Sequence, residues 1–300
     1  MIARPAAAAA FLLSLLAALP ALARDGKKIF VSVDMEGIDS VVTEQQLGPP
    51  GFEYAAAREL MTQEANAAIA AAREAGASEF VVADSHGSMQ NLLPDKLPPD
   101  VQLVRGTPRP LGMMQGIDES FDGVIFVGYH ASTTNPQGVR AHSFSSANLA
   151  DVKLNGTSVS EGGWNAAVAA HFGVPVLAVS GDEAAVAEVK AQAPGAEGAV
   201  VKWPYAFHSA RTLSPASART VIADAVGKGM ARRGATNLPR VTSPVRVEIR
   251  FKSYRPAELL SWLPGAVRID AHAVAYTVKD MPEASRFLAF VLGYQADLTP

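Results

Sequence analysis

The chain of 300 residues has no cysteine, no run of basic residues and, beyond its N-terminal stretch, no apolar segment long enough to cross a membrane. The lack of cysteine excludes disulfides, thiolate metal sites and a cysteine nucleophile. The 26 basic and 29 acidic residues make the chain mildly acidic, which offers no basic surface to nucleic acid. We therefore expect neither a nucleic-acid partner nor stable insertion into a membrane.

The first 23 residues have the pattern of a secretory signal peptide. Arg4 supplies the positive start, residues 6–19 form an apolar core, and Ala21-Leu22-Ala23 resembles a cleavage site. An uncleaved N-terminal anchor is the alternative. Because Arg4 is the only charged residue before this site, cleavage leaves 25 basic and 29 acidic residues, a net charge of −4. We expect a soluble, exported protein that is periplasmic or secreted.

Strand-like and helix-like segments alternate through the first two thirds of the mature chain, which is typical of an α/β fold with a mostly parallel sheet flanked by helices. An alanine-rich helix is predicted over about residues 53–74, with Gly76 as its stop. A shorter helix is predicted around residues 110–115. From about residue 241 the pattern changes to a half-exposed strand and a final helix. We divide the chain into a signal peptide (1–23), a core (24–240) and a smaller C-terminal α+β subdomain (241–300).

Three short apolar runs, rich in β-branched residues, each end next to side chains that can bind a metal ion. Asp34 and Glu36 follow the first run, His86 lies just past the second, and His130 lies just past the third. The ends of parallel strands open on the same edge of a sheet, so these side chains should converge. Carboxylate and imidazole groups together are ligands for Zn²⁺ and similar divalent ions. The sequence therefore predicts a hydrolytic metal site.

The residues alone leave other roles open for these ligands. Asp34 and Glu36 precede a glycine, so they could instead cap the next element. Asp84 could fix the tautomer of His86 by a hydrogen bond to its ring, or it could cap the following turn and leave His86 as a loop residue. His130 is open to the same two readings, ligand or ordinary loop histidine.

Further candidates lie outside these strand ends. His142 is in a small, polar loop, which suits a residue that acts on substrate, although an ordinary loop histidine fits equally. Glu161 follows Ser158 by three positions, the spacing of a capping box at a helix start. Asp182 ends another strand and is a reserve candidate. His171 and His208 lack the strand-end context, and we expect packing or surface roles for them.

Several short motifs occur in a fixed order along residues 28–215. They are Ser32-Val33-Asp34-Met35-Glu36-Gly37, Met61-Thr62-Gln63-Glu64-Ala65-Asn66, Asp84-Ser85-His86, Gly128-Tyr129-His130, Ala141-His142-Ser143, Glu161, Asn165 and Pro175-Val176-Leu177 with Gly181-Asp182. In their order and spacing these motifs resemble the zinc-dependent D-aminopeptidase family.

The resemblance implies a role for each candidate. Asp34 would bridge two zinc ions, with Glu36 and His86 completing the protein ligands of one ion. The other ion would take His130 and Glu161, and the remaining histidine of the motifs, His142, would be catalytic. A ring-shaped homo-oligomer is implied as well.

Two parts of the chain depart from the family pattern. Residues 39–53 and the tail from residue 241 carry no matching motif, and we expect them to shape the substrate entrance. The signal peptide is a further departure. The leading hypothesis is an exported dinuclear zinc aminopeptidase that hydrolyses short peptides, with N-terminal D-amino acids such as D-Ala. The alternatives are a metal-dependent amidase or phosphoesterase and a non-catalytic periplasmic peptide-binding protein.

Overall fold

The computed structural model of the protein describes residues 26–232, 238 and 241–294. The strands, in chain order, are β1 (Lys27–Val33), β2 (Ala77–Asp84), β3 (Val101–Val104), β4 (Gly123–Tyr129), β5 (Leu149–Leu154), β6 (Thr157–Ser158), β7 (Val176–Asp182), β8 (Glu197–Ala206), β9 (Ser209–Thr212), β10 (Val245–Phe251), β11 (Ala266–Asp270) and β12 (Ala273–Val278). The helices are α1 (Tyr54–Glu74), α2 (Glu161–His171), α3 (Glu183–Gln192), α4 (Pro215–Ala231), α5 (Tyr254–Leu260) and α6 (Met281–Gly293).

The main sheet has seven strands in the order β3-β2-β1-β4-β7-β8-β9. All neighbouring pairs are parallel except β8 with β9. The chain proceeds outward from β1 in one direction to β2 and β3, and then returns to place β4 on the other side of β1. This reversal makes the carboxyl ends of β1, β2 and β4 the usual ligand-binding edge of such a sheet. The predicted α/β fold is confirmed.

Helices pack on both faces of the main sheet. The long helix α1 buries Met61, Ala65, Ala68 and Ile69, whose i, i+4, i+7, i+8 spacing places them in one stripe against the sheet. It ends where predicted, because Gly76 adopts a φ of +92°, a conformation that costs glycine little. The helix predicted around residues 110–115 is only a 3₁₀ turn, Gly112–Met114.

A second, antiparallel sheet has the order β11-β12-β10-β5-β6. Residues from 241 onward contribute β10, β11 and β12, while β5 and β6 come from the middle of the chain. This sheet shares its apolar core with α2 and α6 through Val247, Ile249, Trp164 and Leu288. A division of domains at residue 240 therefore stays a prediction, and the two sheets are tied together by residues 149–158.

The predicted signal peptide lies outside the described residues. In the part of the chain that the structure describes, no helix is both long and apolar enough to span a membrane.

Candidate metal centre

The candidate ligands converge because β1 lies between β2 and β4. Asp34 follows β1 directly, and its amide donates to the Val127 carbonyl of β4 at 2.8 Å. Gly128 lets the two strands approach: it has a φ of +72°, and a Cβ there would lie 2.3 Å from the Asp34 carbonyl oxygen. His130 is thereby brought beside Asp34, and both side chains are buried.

Asp34 faces two imidazoles with different oxygens. Its Oδ1 lies 3.4 Å from Nδ1 of His86, and its Oδ2 lies 3.4 Å from Nε2 of His130. Among the described residues, neither Asp34 Oδ2 nor His130 Nε2 has a hydrogen-bond partner, although both atoms are buried. Buried polar atoms rarely lack partners, so this pair is suited to a shared cation.

Backbone carbonyls orient both imidazoles toward the carboxylates. His86 Nε2 lies 2.8 Å from the Leu47 carbonyl, and His130 Nδ1 lies 3.0 Å from the Ala131 carbonyl. A carbonyl can only accept, so each of these ring nitrogens carries the proton. When the rings are neutral, Nδ1 of His86 and Nε2 of His130 are therefore the nitrogens left to bind a metal ion.

One glutamate accompanies each histidine. Glu36 Oε2 lies 2.9 Å from His86 Nδ1, and Glu161 Oε1 lies 3.4 Å from His130 Nε2. Glu161 is the first residue of α2, and Ser160, rather than the expected Ser158, caps the helix by accepting from the Gly163 amide. The capping-box reading of Glu161 is wrong, since its carboxylate turns to the cluster and accepts from the Phe144 amide at 2.6 Å.

His142 lies against this cluster from the loop after β4. Its ring stacks on that of His130 with 4.0 Å between centroids and an angle of 6° between planes. Nδ1 donates to the Arg140 carbonyl at 2.9 Å, so Nε2 is the free nitrogen. Nε2 lies 3.9 Å from Glu36 Oε1 and 3.7 Å from Glu161 Oε1. His142 can therefore exchange a proton at the cavity without leaving its position.

The cluster strongly attracts positive charge. Burial raises the pKa of Asp34, and the nearby charge of Glu36 raises it further. Burial also disfavours ionised Glu36 and Glu161, but attraction to His86 and His130, respectively, outweighs it and lowers both pKa values. Burial likewise opposes charging of the two histidines, yet the carboxylates raise their pKa values well above the ordinary range. A divalent cation would satisfy the same carboxylates in place of these protons.

The donor atoms fit zinc. Oxygen and nitrogen ligands from Asp34, Glu36 and His86 lie within 4.8 Å of one another, and so do those from Asp34, His130 and Glu161. Asp34 belongs to both groups. A third group joins Glu36, His130 and His142 within the same limit. Carboxylate and imidazole donors of this kind are common zinc ligands.

Other candidates from the sequence have different roles. The Asp84 carboxylate does not orient His86; it accepts from the amides of Asn91 and Leu92 at 2.5 and 2.6 Å. Asp182 caps α3 by accepting from the Ala185 amide at 2.9 Å. The structure places His171 at the end of α2 and His208 on the surface, and it brings neither to the cluster.

Two residues near the site carry no signal in the sequence. Lys202 of β8 is fully buried, and its Nζ donates to the carbonyls of Glu36, Ile38 and Val41, the segment that carries a candidate ligand. Burial lowers its pKa to about 8. Glu188 of α3 accepts from the Ser132 amide and hydroxyl, both at 2.9 Å, and so anchors the loop that holds His142.

A cavity of about 900 Å³ opens above the cluster. Asp34, Glu36, His142 and Glu161 line one part of it. Trp164 and helix α6 contribute apolar wall, and the indole Nε1 of Trp164 donates to Ser285 Oγ of α6 at 3.2 Å. The C-terminal segment thus helps to form the cavity, as expected for a part of the chain that shapes the entrance.

Comparison with known proteins decides the family. The family model described as D-aminopeptidase (peptidase family M55) matches residues 27–290. The chain belongs to the D-aminopeptidase family. It is 35% identical over 260 residues to a D-aminopeptidase of Bacillus subtilis (strain 168), covering 86% of this chain and 93% of the relative.

A solved structure agrees with this D-aminopeptidase assignment. The match is to the Zn-dependent D-aminopeptidase DppA from Bacillus subtilis, described as a self-compartmentalizing protease, with a TM-score of 0.85 and 32% identity. It covers 88% of this chain and 96% of that one. The predicted family and enzyme class are confirmed: this D-aminopeptidase family member is a metal-dependent peptide hydrolase.

Proposed function

We propose that this protein is an exported aminopeptidase that uses two zinc ions per chain to remove N-terminal D-amino acids, such as D-Ala, from short peptides. The observation that carries the proposal is the position of Asp34, with one carboxylate oxygen toward His86 and the other toward His130. Asp34 belongs to both donor groups, so its carboxylate could be shared by two neighbouring ions. The signal-peptide pattern of residues 1–23 supports export to the periplasm or the medium.

In this proposal Asp34 would be shared by both ions, Glu36 and His86 would complete one set of ligands, and His130 and Glu161 would complete the other. Zinc bound by these residues would supply Lewis acidity for a substrate carbonyl and would lower the pKa of a water to near neutrality. The carbonyls of Leu47 and Ala131 keep the two imidazoles in the tautomers that bind metal.

His142 moves the proton in this scheme. Its Nδ1 proton is held by the Arg140 carbonyl, so Nε2 is available to take a proton from the attacking water and to return it to the leaving amine. The stacked ring of His130 and the Glu188 contacts to the preceding loop keep Nε2 in place.

Short peptides fit the cavity. A volume of about 900 Å³ lies within the range of small-molecule sites, which is roughly 300–1,000 Å³. D-Ala peptides are the substrates that we propose, because the chain belongs to the D-aminopeptidase family.

We further propose that the chain forms a ring-shaped homo-oligomer. A relative is described as self-compartmentalizing. On α5, β11 and the turn between them this chain exposes apolar side chains that a partner subunit would cover, namely Tyr254, Leu259, Trp262, Val267 and Ile269. Sedimentation of the purified protein should reveal an assembly, and Trp262→Arg should weaken it. A monomer at all concentrations would contradict this part of the proposal.

The first test of the function is release of free amino acid from D-Ala-D-Ala and L-Ala-L-Ala by the purified mature protein, with zinc and after chelation. We expect zinc-dependent cleavage of the D-peptide alone. Cleavage of the L-peptide would retain the chemistry and refute the stereospecificity. Absence of cleavage with two metals bound per chain would favour a binding protein, an amidase or a phosphoesterase. A phosphoester and a simple amide, assayed in parallel, would detect the two alternative enzymes.

A further inference from the structure

Arg109 is a buried cation in the wall of the active-site cavity. It lies in the loop after β3, its residue is only 6% exposed, and it lines the same cavity as Glu36 and His142. The mechanism proposed above does not use it. A buried arginine is costly unless its charge and its N–H groups are matched by partners.

Backbone carbonyls hold the guanidinium; burial lowers its pKa, and the nearby charge of Asp84 opposes that shift. Nε donates to Gly106 at 2.6 Å, Nη1 to Asp84 at 2.9 Å and Nη2 to Val104 at 3.1 Å. Among the described residues, no carboxylate lies within ion-pair distance, and the Asp84 carboxylate is occupied by the amides of the next loop. A guanidinium has five N–H groups, so two remain after these three bonds. Arg109 is therefore a cation held in a fixed position, with two N–H groups left to bind a ligand.

Arg109 is bonded to a strand end that leads directly to a candidate metal ligand. Arg109 Nη1 lies 2.9 Å from the Asp84 carbonyl oxygen, and the Cα atoms of Asp84 and the candidate ligand His86 are at most about 7 Å apart. An extended dipeptide covers about 7 Å and a tripeptide about 10 Å. Because Arg109 and the cluster line the same cavity, a short peptide whose scissile bond lies at the centre can place its C-terminus near Arg109.

We propose that Arg109 binds the C-terminal carboxylate of the substrate and thereby restricts the enzyme to short peptides, an inference that rests on the proposed aminopeptidase function. Arginine binds carboxylates through paired N–H groups, and such charge-assisted bonds are strong. The apolar side chains of Phe144, Trp164 and Leu288 line the same cavity and reduce its exposure to water, which strengthens the attraction.

The kinetic test compares D-alanyl-D-alanine with its C-terminal amide, which has no negative charge. The measured quantity is the ratio of kcat/KM for the acid to that for the amide. Arg109→Gln should lower this ratio about ten- to hundredfold, mainly through KM of the acid, and Arg109→Lys should recover part of it. Arg105→Gln, at an exposed arginine of the same loop, should keep the wild-type ratio. An unchanged ratio in Arg109→Gln would overturn the proposal, even if both rates fell, since Arg109 would then be structural.

A binding measurement keeps this inference separate from the proposed function. Calorimetric titration of zinc-loaded His142→Ala protein should give a Kd for the acid about tenfold or more below that for the amide. In the double variant that also carries Arg109→Gln, this difference in Kd should disappear. Equal affinities for acid and amide while Arg109 is present would refute the proposal that Arg109 binds the C-terminal carboxylate. If the wild type cleaved neither compound, the aminopeptidase function would fail, and the titration would still decide the role of Arg109.

Discussion

Raising the pH from about 8 to 10.5 should stabilise this protein, and Lys202 is the reason. Its ammonium group is fully buried, and it donates to the carbonyls of Glu36, Ile38 and Val41. Burial lowers its pKa from 10.5 to about 8, against the attraction of Asp182 and other nearby carboxylates. In the unfolded chain the lysine is in water and recovers its ordinary pKa.

The sign and size of the effect follow from proton binding. Between these two pKa values the unfolded state holds a proton on Lys202 that the native state has lost, so the free energy of unfolding rises with pH. A depression of 2.5 pH units, from 10.5 to about 8, at 1.36 kcal/mol per unit gives a rise of about 3 kcal/mol. Lys202→Met should lack this rise. At neutral pH it should also be less stable than the wild type, because three buried carbonyls lose their donor at a cost of about 1–3 kcal/mol for each group left unpaired.

The assay is urea unfolding of the zinc-loaded wild type and Lys202→Met at steps from neutral pH upward, extrapolated to water. The difference between the two unfolding free energies should widen by about 3 kcal/mol as pH increases. Other titrating groups, such as Tyr129, are common to both proteins and cancel in the difference. Lys190→Met, at an exposed lysine, should show no such trend. A difference that stays constant or narrows above pH 8 would refute the reasoning.

Three further predictions concern the candidate metal centre. Asp34→Asn should reduce zinc at both positions, whereas exposed Asp95→Asn should keep the wild-type content by metal analysis; one tightly retained ion in Asp34→Asn would show that Asp34 does not bridge. His142→Ala should lower kcat by about 10²–10⁴-fold with its zinc content unchanged, and parallel loss of zinc would make the residue structural. Acid should release zinc, because protons compete for the raised-pKa imidazoles of His86 and His130. Equilibrium dialysis from about pH 8 to 5 tests this, and a flat zinc content would contradict it.

Sequence patterns were sufficient to predict that the side chains of Asp34, Glu36, His86 and His130 converge. Each follows an apolar strand, and parallel strands end on one edge, so only the sheet type had to be right. Glu161 was different. It stands at a helix start, where a glutamate ordinarily caps, and only the family resemblance pointed to the cluster. Whether it turns inward depends on how α2 packs against β4, which a local pattern does not contain.

Lys202 and Arg109 could not have been found from the sequence. Lys202 interrupts an apolar strand, where a single lysine usually marks a solvent-facing position. Arg109 lies between two prolines in a loop, a context typical of the surface. Both are buried because carbonyl groups from distant segments, at residues 36–41 and 84, accept hydrogen bonds from them. Such contacts exist only once the chain has folded.

Metal binding and the shape of the cavity wall depend on different parts of the chain, because α6 contributes to the wall and not to the ligands. Every candidate ligand comes from residues 34–161, whereas Ser285, Leu288 and Leu292 of the cavity wall belong to a helix encoded far downstream. Substitutions on the inward face of this helix can therefore change which side chains fit, while the zinc ligands are left intact. Relatives that share one hydrolytic centre can therefore differ in substrate preference. An exchange of residues 281–293 between two of them should transfer that preference without altering the metal requirement.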